Sequence, residues 1–507
     1  MFRKTPIIIV LVILYSLTVH AQKIFYSEPD RNDQKSLNFD VAGKINNHYL
    51  VYKNYRSDNY VSVYDNEMKL VENADLDFIP DKIISSEVLG YKDFFYIFYQ
   101  YQKRNIAYCM AAKIDGNGKI IGEPKQLDTT SISFFANNKI YNVINSEDKQ
   151  RIMIFKINSK DNDRYVLTTS LFDNDLNFIR KKRMSIPMPE RADFLTEFAL
   201  DNEGSLVFAR AAGSSENDNI KNITLLTQDA DADSISFHDL NVSEMYLDDI
   251  KIKIDNVNHH YLITSFYSKT RRGNIDGLYC VLWDKKLTQP TYSVSTVFSD
   301  ETRNDAKSEG NPRYAFNDFY IQNILMRKDG GFVIATESVY SSSRGSTNSR
   351  WDYLYGSPFS SPYYYYGSPL YGSYYYPWGR WGNYGYQITR YYADNIAIIS
   401  FDSTANQQWA NVIHKSQYDD YTDNFLGYGT LNSGGKFHFI FNQLEKRTQL
   451  LTDQSITPDG QINRSPTLHN LSKEYQFMPR YSKQVSSYEI IVPCQYRNYI
   501  CFAKIEY

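Results

Sequence analysis

Apolar and polar positions along this chain alternate, in many short stretches, with a period of two. The clearest is Asp394 to Trp409, DNIAIISFDSTANQQW, in which Ile396 and Ile398 alternate and Phe401-Asp402 leads into Ser, Thr and Asn. Alternation of this kind predicts a half-buried β-strand, and an Asp-led polar run predicts a turn. The arrangement recurs at Asn59–Asn66, Asn105–Gly116, Arg164–Asn174, Asn222–Ala230, Asp276–Lys285, Arg447–Gln454 and Asn498–Tyr507, so it occurs eight times in all. A second apolar run precedes each occurrence, starting at Tyr49, Phe94, Arg151, Ser205, Tyr261, Phe332, Phe437 and Tyr488. Turns such as Asn202-Glu203-Gly204, Asp329-Gly330-Gly331 and Ser433-Gly434-Gly435 introduce several of these runs.

A further strand follows the Asp turn, as in Lys119-IIGEPKQL and Phe178-IRKKRMSI, and a weaker one leads in, as in Phe319-YIQNILM. Each unit therefore has four antiparallel strands over about 45–60 residues, the period of β-propeller blades. The fold class is all-β, and eight blades fit the count, with seven as the alternative if one weak unit is no blade. The last unit stops at Tyr507 on its third strand, and Lys23-IFYSE is the candidate for the missing one. A ring closed by that N-terminal strand would hide both sheet edges.

One unit is out of step. Between Phe332-VIAT and Asp394-NIAII lies a Tyr/Gly/Ser/Pro-rich, low-complexity segment over residues 341–392, with YGSP at Tyr355 and again at Tyr366. Such composition builds no core of its own, which predicts a long surface excursion from one blade. Tyr353, Tyr355, Tyr364, Tyr365, Tyr375, Trp378, Trp381 and Tyr384 offer rigid amphipathic rings separated by adaptable Gly and Ser, the makings of a partner-contact surface. The same rings would stack on glycans, and a tolerated insertion without a role is the third reading.

The N-terminus sets the compartment. Arg3 and Lys4, an apolar run from Pro6 to Leu17 and Val19-His20-Ala21 before Gln22 read as a signal peptide over residues 1–21. Gln22 in place of Cys argues against a lipid-anchored precursor. No later run nears the roughly twenty apolar residues of a membrane span, so residues 22–507 read as one exported propeller domain without a transmembrane segment. A net charge of −3 gives no footprint for nucleic acid. The 45 Tyr and 29 Phe favour strands, a half-wet sheet surface suiting the Tyr ring. Of the four cysteines, Cys494 and Cys501 flank a hairpin turn at Arg497-Asn498, either as a disulfide or as buried thiols.

Candidate chemistry is sparse. Asp229, Asp231 and Asp233 alternate as in a calcium loop, but Ser234 stands where Gly is needed and Leu240 where the bidentate Glu belongs. His259 and His260 point to opposite faces of a strand and cannot share an ion. Arg180–Arg183 and Arg271-Arg272 are basic clusters, the first read as edge protection. No nucleophile elbow, HExxH or P-loop occurs, and Ser400-Phe401-Asp402 fails the sialidase Asp-box at Thr404 and Trp409. No catalytic residue, metal ligand or cofactor is assigned.

Ile114-Asp115-Gly-Asn-Gly-Lys-Ile120, Thr457-Pro458-Asp459-Gly-Gln and Phe401–Trp409 resemble the strand–Asp–x–x–Gly–x–strand repeat of secreted bacterial β-propeller proteins, the last departing from it in having no Gly after Asp402. The resemblance spans nearly the whole chain beyond residue 21. It implies an exported protein of the Gram-negative envelope, periplasmic or on the outer surface, in a class that holds binding scaffolds, assembly factors and some enzymes. The expectation is a non-catalytic interaction scaffold whose partner is an envelope protein or glycan. The alternative is a carbohydrate-active propeller enzyme, a glycoside hydrolase or lyase, or a glycan-binding protein.

Overall fold

The computed structural model describes residues 22–32, 37–132, 139–160, 163–190, 192–213, 218–307, 311–343, 346–347, 389–445, 448–465 and 474–507. Its strands form up-and-down antiparallel meanders of four, each built from neighbouring stretches of chain. The first comprises Leu37–Ile45, His48–Tyr55, Asp58–Tyr64 and Leu70–Asp75. Further meanders cover residues 85–131, 142–187, 194–240, 251–297, 319–413 and 428–464. The fourth and fifth share one nine-stranded sheet, because Tyr246–Leu247 pairs with a strand of each. In the last, Tyr475–Phe477 and Lys483–Ser486 flank Glu489–Tyr496, which pairs with Tyr499–Glu506. Lys23–Tyr26 pairs antiparallel with Ala503–Glu506, so an N-terminal strand lies at the edge of this last sheet.

Neither face of the inner strands is left for water. In the stretch around Asp402, Ile396 and Ile398 point to an apolar cluster shared with Phe439 and Phe441 of the seventh meander. Ala397, Ile399 and Phe401 point the other way, to a cluster with Leu278 and Phe298 of the fifth meander and its exit. The strand read as half-buried is thus buried on both faces, which is why its alternation is blurred by Ala397 and Ile399. Similar clusters lie between every successive pair of meanders, and one joins Phe39 and Val51 of the first to Ile491 and Phe502 of the last. Tyrosine follows the same logic. Tyr49, Tyr52 and Tyr261 are fully buried, not half-wet, and their hydroxyls donate to Glu489 (2.7 Å), Asn59 (2.6 Å) and Asp201 (3.0 Å). A buried phenol needs such a partner, and these supply it.

The Asp turns have one design. The Asp402 carboxylate accepts from the amides of Thr404 and Asn406, both at 2.9 Å, and Asp65, Asp115 and Asp173 accept from the amides two and four residues on. The residue three positions after the Asp has positive φ: Met68 (61°), Gly118 (78°), Leu176 (60°) and Ala405 (60°). That residue turns inward against the preceding meander. Leu176 joins Phe98 and Ala111, and Ala405 joins Leu278. A Cβ on Gly118 would come 2.8 Å from the Ala74 Cβ, so Gly is required there for space as well as for φ. After Asp115 the outer strand runs Lys125–Ser131, later than the sequence suggests. Gly122 (φ 74°) and Pro124 interrupt the run, leaving only an isolated bridge from Ile114 to Ile120.

Candidate functional site

Antiparallel pairing puts the turns between second and third strands, and the linkers to the next meander, at one end of every unit. The feature that stands out at that end belongs to the sixth meander. Phe332–Ser343 and Thr389–Phe401 outrun the other strands of their sheet. Phe332–Glu337 pairs with Ile396–Phe401 inside the meander. Past a register shift between Glu337 and Val339, five more residue pairs, from Val339–Ala393 to Ser343–Thr389, continue as a two-stranded arm. Tyr418–Asp419 adds a short third strand against Tyr391 and Tyr392.

Aromatic and charged groups stiffen this arm. Tyr340 and Tyr392 face each other across it, their rings stacked at 4.4 Å and 10°. The Tyr340 hydroxyl donates to Asp394 at 2.9 Å. Burial, then the Asp394 charge, pushes that phenol well above its ordinary range, so it stays a donor. Arg390 donates to both Asp420 oxygens (2.5 and 3.2 Å) and lies 4.8 Å over the Tyr418 ring. Tyr418 is 50% exposed and Tyr421, beside it, 88%.

The base of the arm is a buried polar knot. Lys415 meets Glu337 at 2.8 Å and donates to the Ala393 carbonyl (2.7 Å) and to Gln417 (3.0 Å). Burial draws the ammonium below its ordinary range, against the pull of Glu337. Gln417 binds Gly427 and Asn442 of the next unit, and Tyr428 donates to Asn323 at 2.9 Å. Asn395 donates to the carbonyl of Ala306, the end of a short helix, Asp300–Ala306, in the linker before this meander. The root is therefore tied to the linker that precedes the sixth meander and to the seventh meander at once.

Tyr353, Tyr355, Tyr364, Tyr365, Tyr375, Trp378, Trp381 and Tyr384 lie outside the described residues, on the chain between the arm's two strands. Ser341–Ser343 and Thr389–Tyr392, at the margins of the Tyr-rich segment, lie within strands. Cys494 and Cys501 sit directly opposite each other, buried, with sulfurs 2.7 Å apart. Sequence reasoning named neither Tyr340, Tyr392 and Arg390 nor the Lys415–Glu337 pair. The signal available was the run of polar and aromatic residues directly before Asp394.

Other sequence candidates resolve into neighbour contacts. Arg180 reaches Asp233 and the Asp231 carbonyl (2.6 Å), so the basic cluster of one meander holds the acidic turn of the next. Arg271 and Arg272 both address Asp218. His259 lies 3.6 Å from Glu203 and His260 3.8 Å from Asp284. Among the described residues no group of three or more His, Cys, Asp or Glu is placed to hold a metal, and no helix is long and apolar enough to cross a membrane. A shallow cleft of about 350 Å³ lies between the fourth and fifth meanders, with Lys221, Asn241, Glu244 and Tyr246 in its wall.

No protein-family model matches the chain, and no curated protein does. Solved structures do. Prolyl oligopeptidase B from Galerina marginata, bound to a 25mer macrocyclization substrate, aligns over 92% of this chain and 56% of its own at 10% identity and a TM-score of 0.41. This chain thus spans little more than half the length of that protein. An ulvan lyase bound to -[GlcA(1-4)Rha3S]- aligns over 82% of this chain and 90% of its own, at 9% identity and a TM-score of 0.39. The dihydro-heme d1 dehydrogenase NirN aligns over 94% and 73%, at 11% identity and a TM-score of 0.36. Likeness at this level carries no argument about activity, substrate or partner.

Proposed function

We propose that this chain is an eight-bladed β-propeller closed by its N-terminal strand, exported to the envelope of a Gram-negative bacterium, where it is a non-catalytic interaction scaffold. Its contact surface is the arm of the sixth meander with the Tyr-rich segment carried on it, and its partner is an envelope protein. The eight-membered ring is supported by apolar clusters between successive meanders that also couple the last to the first. The scaffold reading is supported by the use made of buried charge. Lys53, Lys156 and Lys415, each almost wholly buried, are tied to Asp30, Asp128 and Glu337, and all three pairs hold strands or linkers together. The single observation that carries the contact role is the arm. Five residue pairs beyond the four-stranded meander, rooted in the sixth and seventh meanders and the linker helix, present rings and an Arg–Asp pair that the core does not need.

The test is crosslinking and pull-down from intact envelopes with the full chain and with a chain in which residues 344–388 are replaced by a short Gly-Ser turn. The shortened chain should melt with the full one and lose the partner. Equal recovery of the partner by both chains contradicts the contact role.

A further inference from the structure

The outermost strand of each meander pairs on one side only. Such an edge joins other edges unless charge, proline, a bulge, short length or a covering element guards it. Leu70–Asp75 carries Glu72 and Asp75, Lys125–Ser131 carries Lys125 and Asp128, and Phe178–Pro187 carries the basic residues 180–183. Ser236–Leu240 holds His238 and Asp239, while Ile462–Arg464 and Lys23–Tyr26 are short and each bear a charge. Gln407–Ile413 is uncharged, but the helix Asp300–Ala306 lies against it.

Gln289–Val297 of the fifth meander, QPTYSVSTV, is the exception. It is nine residues long and carries no charge. Its only guards, Pro290 and the register shift at residue 291, both sit at its start. Tyr292 and Val294 pack on the cluster around Leu278 and Phe298, whereas Ser293, Ser295 and Val297 are exposed. The Phe298 amide donates to the Asp276 carbonyl at 3.1 Å, which fixes the phase of the ladder. Alternation then turns the N–H and C=O of Ser293, Ser295 and Val297 away from the sheet. Among the described residues, none bonds to those backbone groups.

The order of side chains says what fits there. Residues 292–296, Tyr-Ser-Val-Ser-Thr, read almost alike from either end. Antiparallel pairing of this strand with its own copy, about a two-fold axis at Val294, sets each Ser293 opposite a Ser295. Those are the residues whose amides and carbonyls face outward, so each such pair can exchange both bonds. Tyr292 meets Thr296, an aromatic and a β-branched residue, and Val294 meets itself. Pro290 falls opposite Phe298, outside this ladder. No charge meets a like charge, as residues 180–183 would if the third meander's edge paired with itself.

We propose that Gln289–Val297 is a dimerisation edge, which takes the same strand of a second copy of this chain across a two-fold axis at Val294 and joins two fifth meanders into one continuous sheet. The ladder is short, so the dimer dissociates on dilution. The edge belongs to a different meander from the arm and does not depend on the arm's role.

The experiment is sedimentation of the full chain over a dilution series, for wild type, for Ser293→Lys with Ser295→Lys, and for Ser293→Glu with Ser295→Glu. Both serines are exposed, so all three chains should melt together as monomers. Wild type should form a reversible dimer, and each charged variant alone should dimerise at least about tenfold more weakly, because like charges then face each other across the ladder. An equimolar mixture of the Lys and Glu variants should recover the dimer, which a mere loss of folding would not allow. A wild type that stays monomeric throughout, a dimer that both variants form as tightly as wild type, or a mixture that fails to recover it overturns the edge.

Discussion

Asp402, an Asp-led turn residue in sequence, is held in that role by its surroundings. Its carboxylate is occupied by the amides of Thr404 and Asn406 and by their side chains. What burial it has opposes ionisation, but those donors outweigh it and hold the carboxyl at about 2. An unfolded Asp titrates near 3.9, so the folded-state value is depressed. The turn's contribution is then fully present above about pH 4 and is lost as the pH falls toward 2. Asp402 is largely solvent-facing, so screening limits that contribution to about 1 kcal/mol. Asp402→Ala should lower the melting temperature by only about one degree at pH 7 and flatten the acid limb between pH 4 and 2. An acid limb parallel to that of wild type would show the carboxylate is not used this way. The Asp itself was readable from the sequence because turn chemistry is local. That Met68, Leu176 and Ala405 reach back into the preceding meander was not, because packing between units leaves no mark on spacing.

At the scale of elements, the strand positions came through well where apolar runs were bounded by turn residues. The Lys23 strand was legible as a missing member of the last unit, and it does pair with Ala503–Glu506. Its removal should expose the Tyr499–Glu506 edge and the part of the cluster around Ile505 that Ile24 and Tyr26 cover. Replacing residues 23–26 by Gly-Ser should cost several kcal/mol, since each buried aliphatic or aromatic side chain contributes roughly 1.5–3 kcal/mol. Chemical denaturation would show this as a lower midpoint, and an unchanged midpoint would mean the strand is an accessory. The arm was less legible. Its strands could be traced from Phe332 and Asp394, but the five extra pairs are hidden in Ser- and Tyr-rich sequence without a period-two signal, residues 339–342, Tyr391 and Tyr392 all being only half-buried.

For the whole molecule, the meander order places the arm formed by Phe332–Ser343 and Thr389–Phe401 at one end and the Asp turns at the other. Composition singled out the Tyr-rich segment, while the root of Lys415, Glu337, Gln417 and Tyr428 emerged only from the fold, since its members are spread over ninety-odd residues (337 to 428). A scaffold of this design meets its partner at the arm end. A photo-crosslinking amino acid placed at Tyr421, 88% exposed beside the arm, can be compared in intact envelopes with one at Val257, 72% exposed in a first-to-second-strand turn at the opposite end. A discrete crosslinked envelope protein is expected from position 421 and none from 257. Adducts from 257 alone, or equally from both, would contradict it.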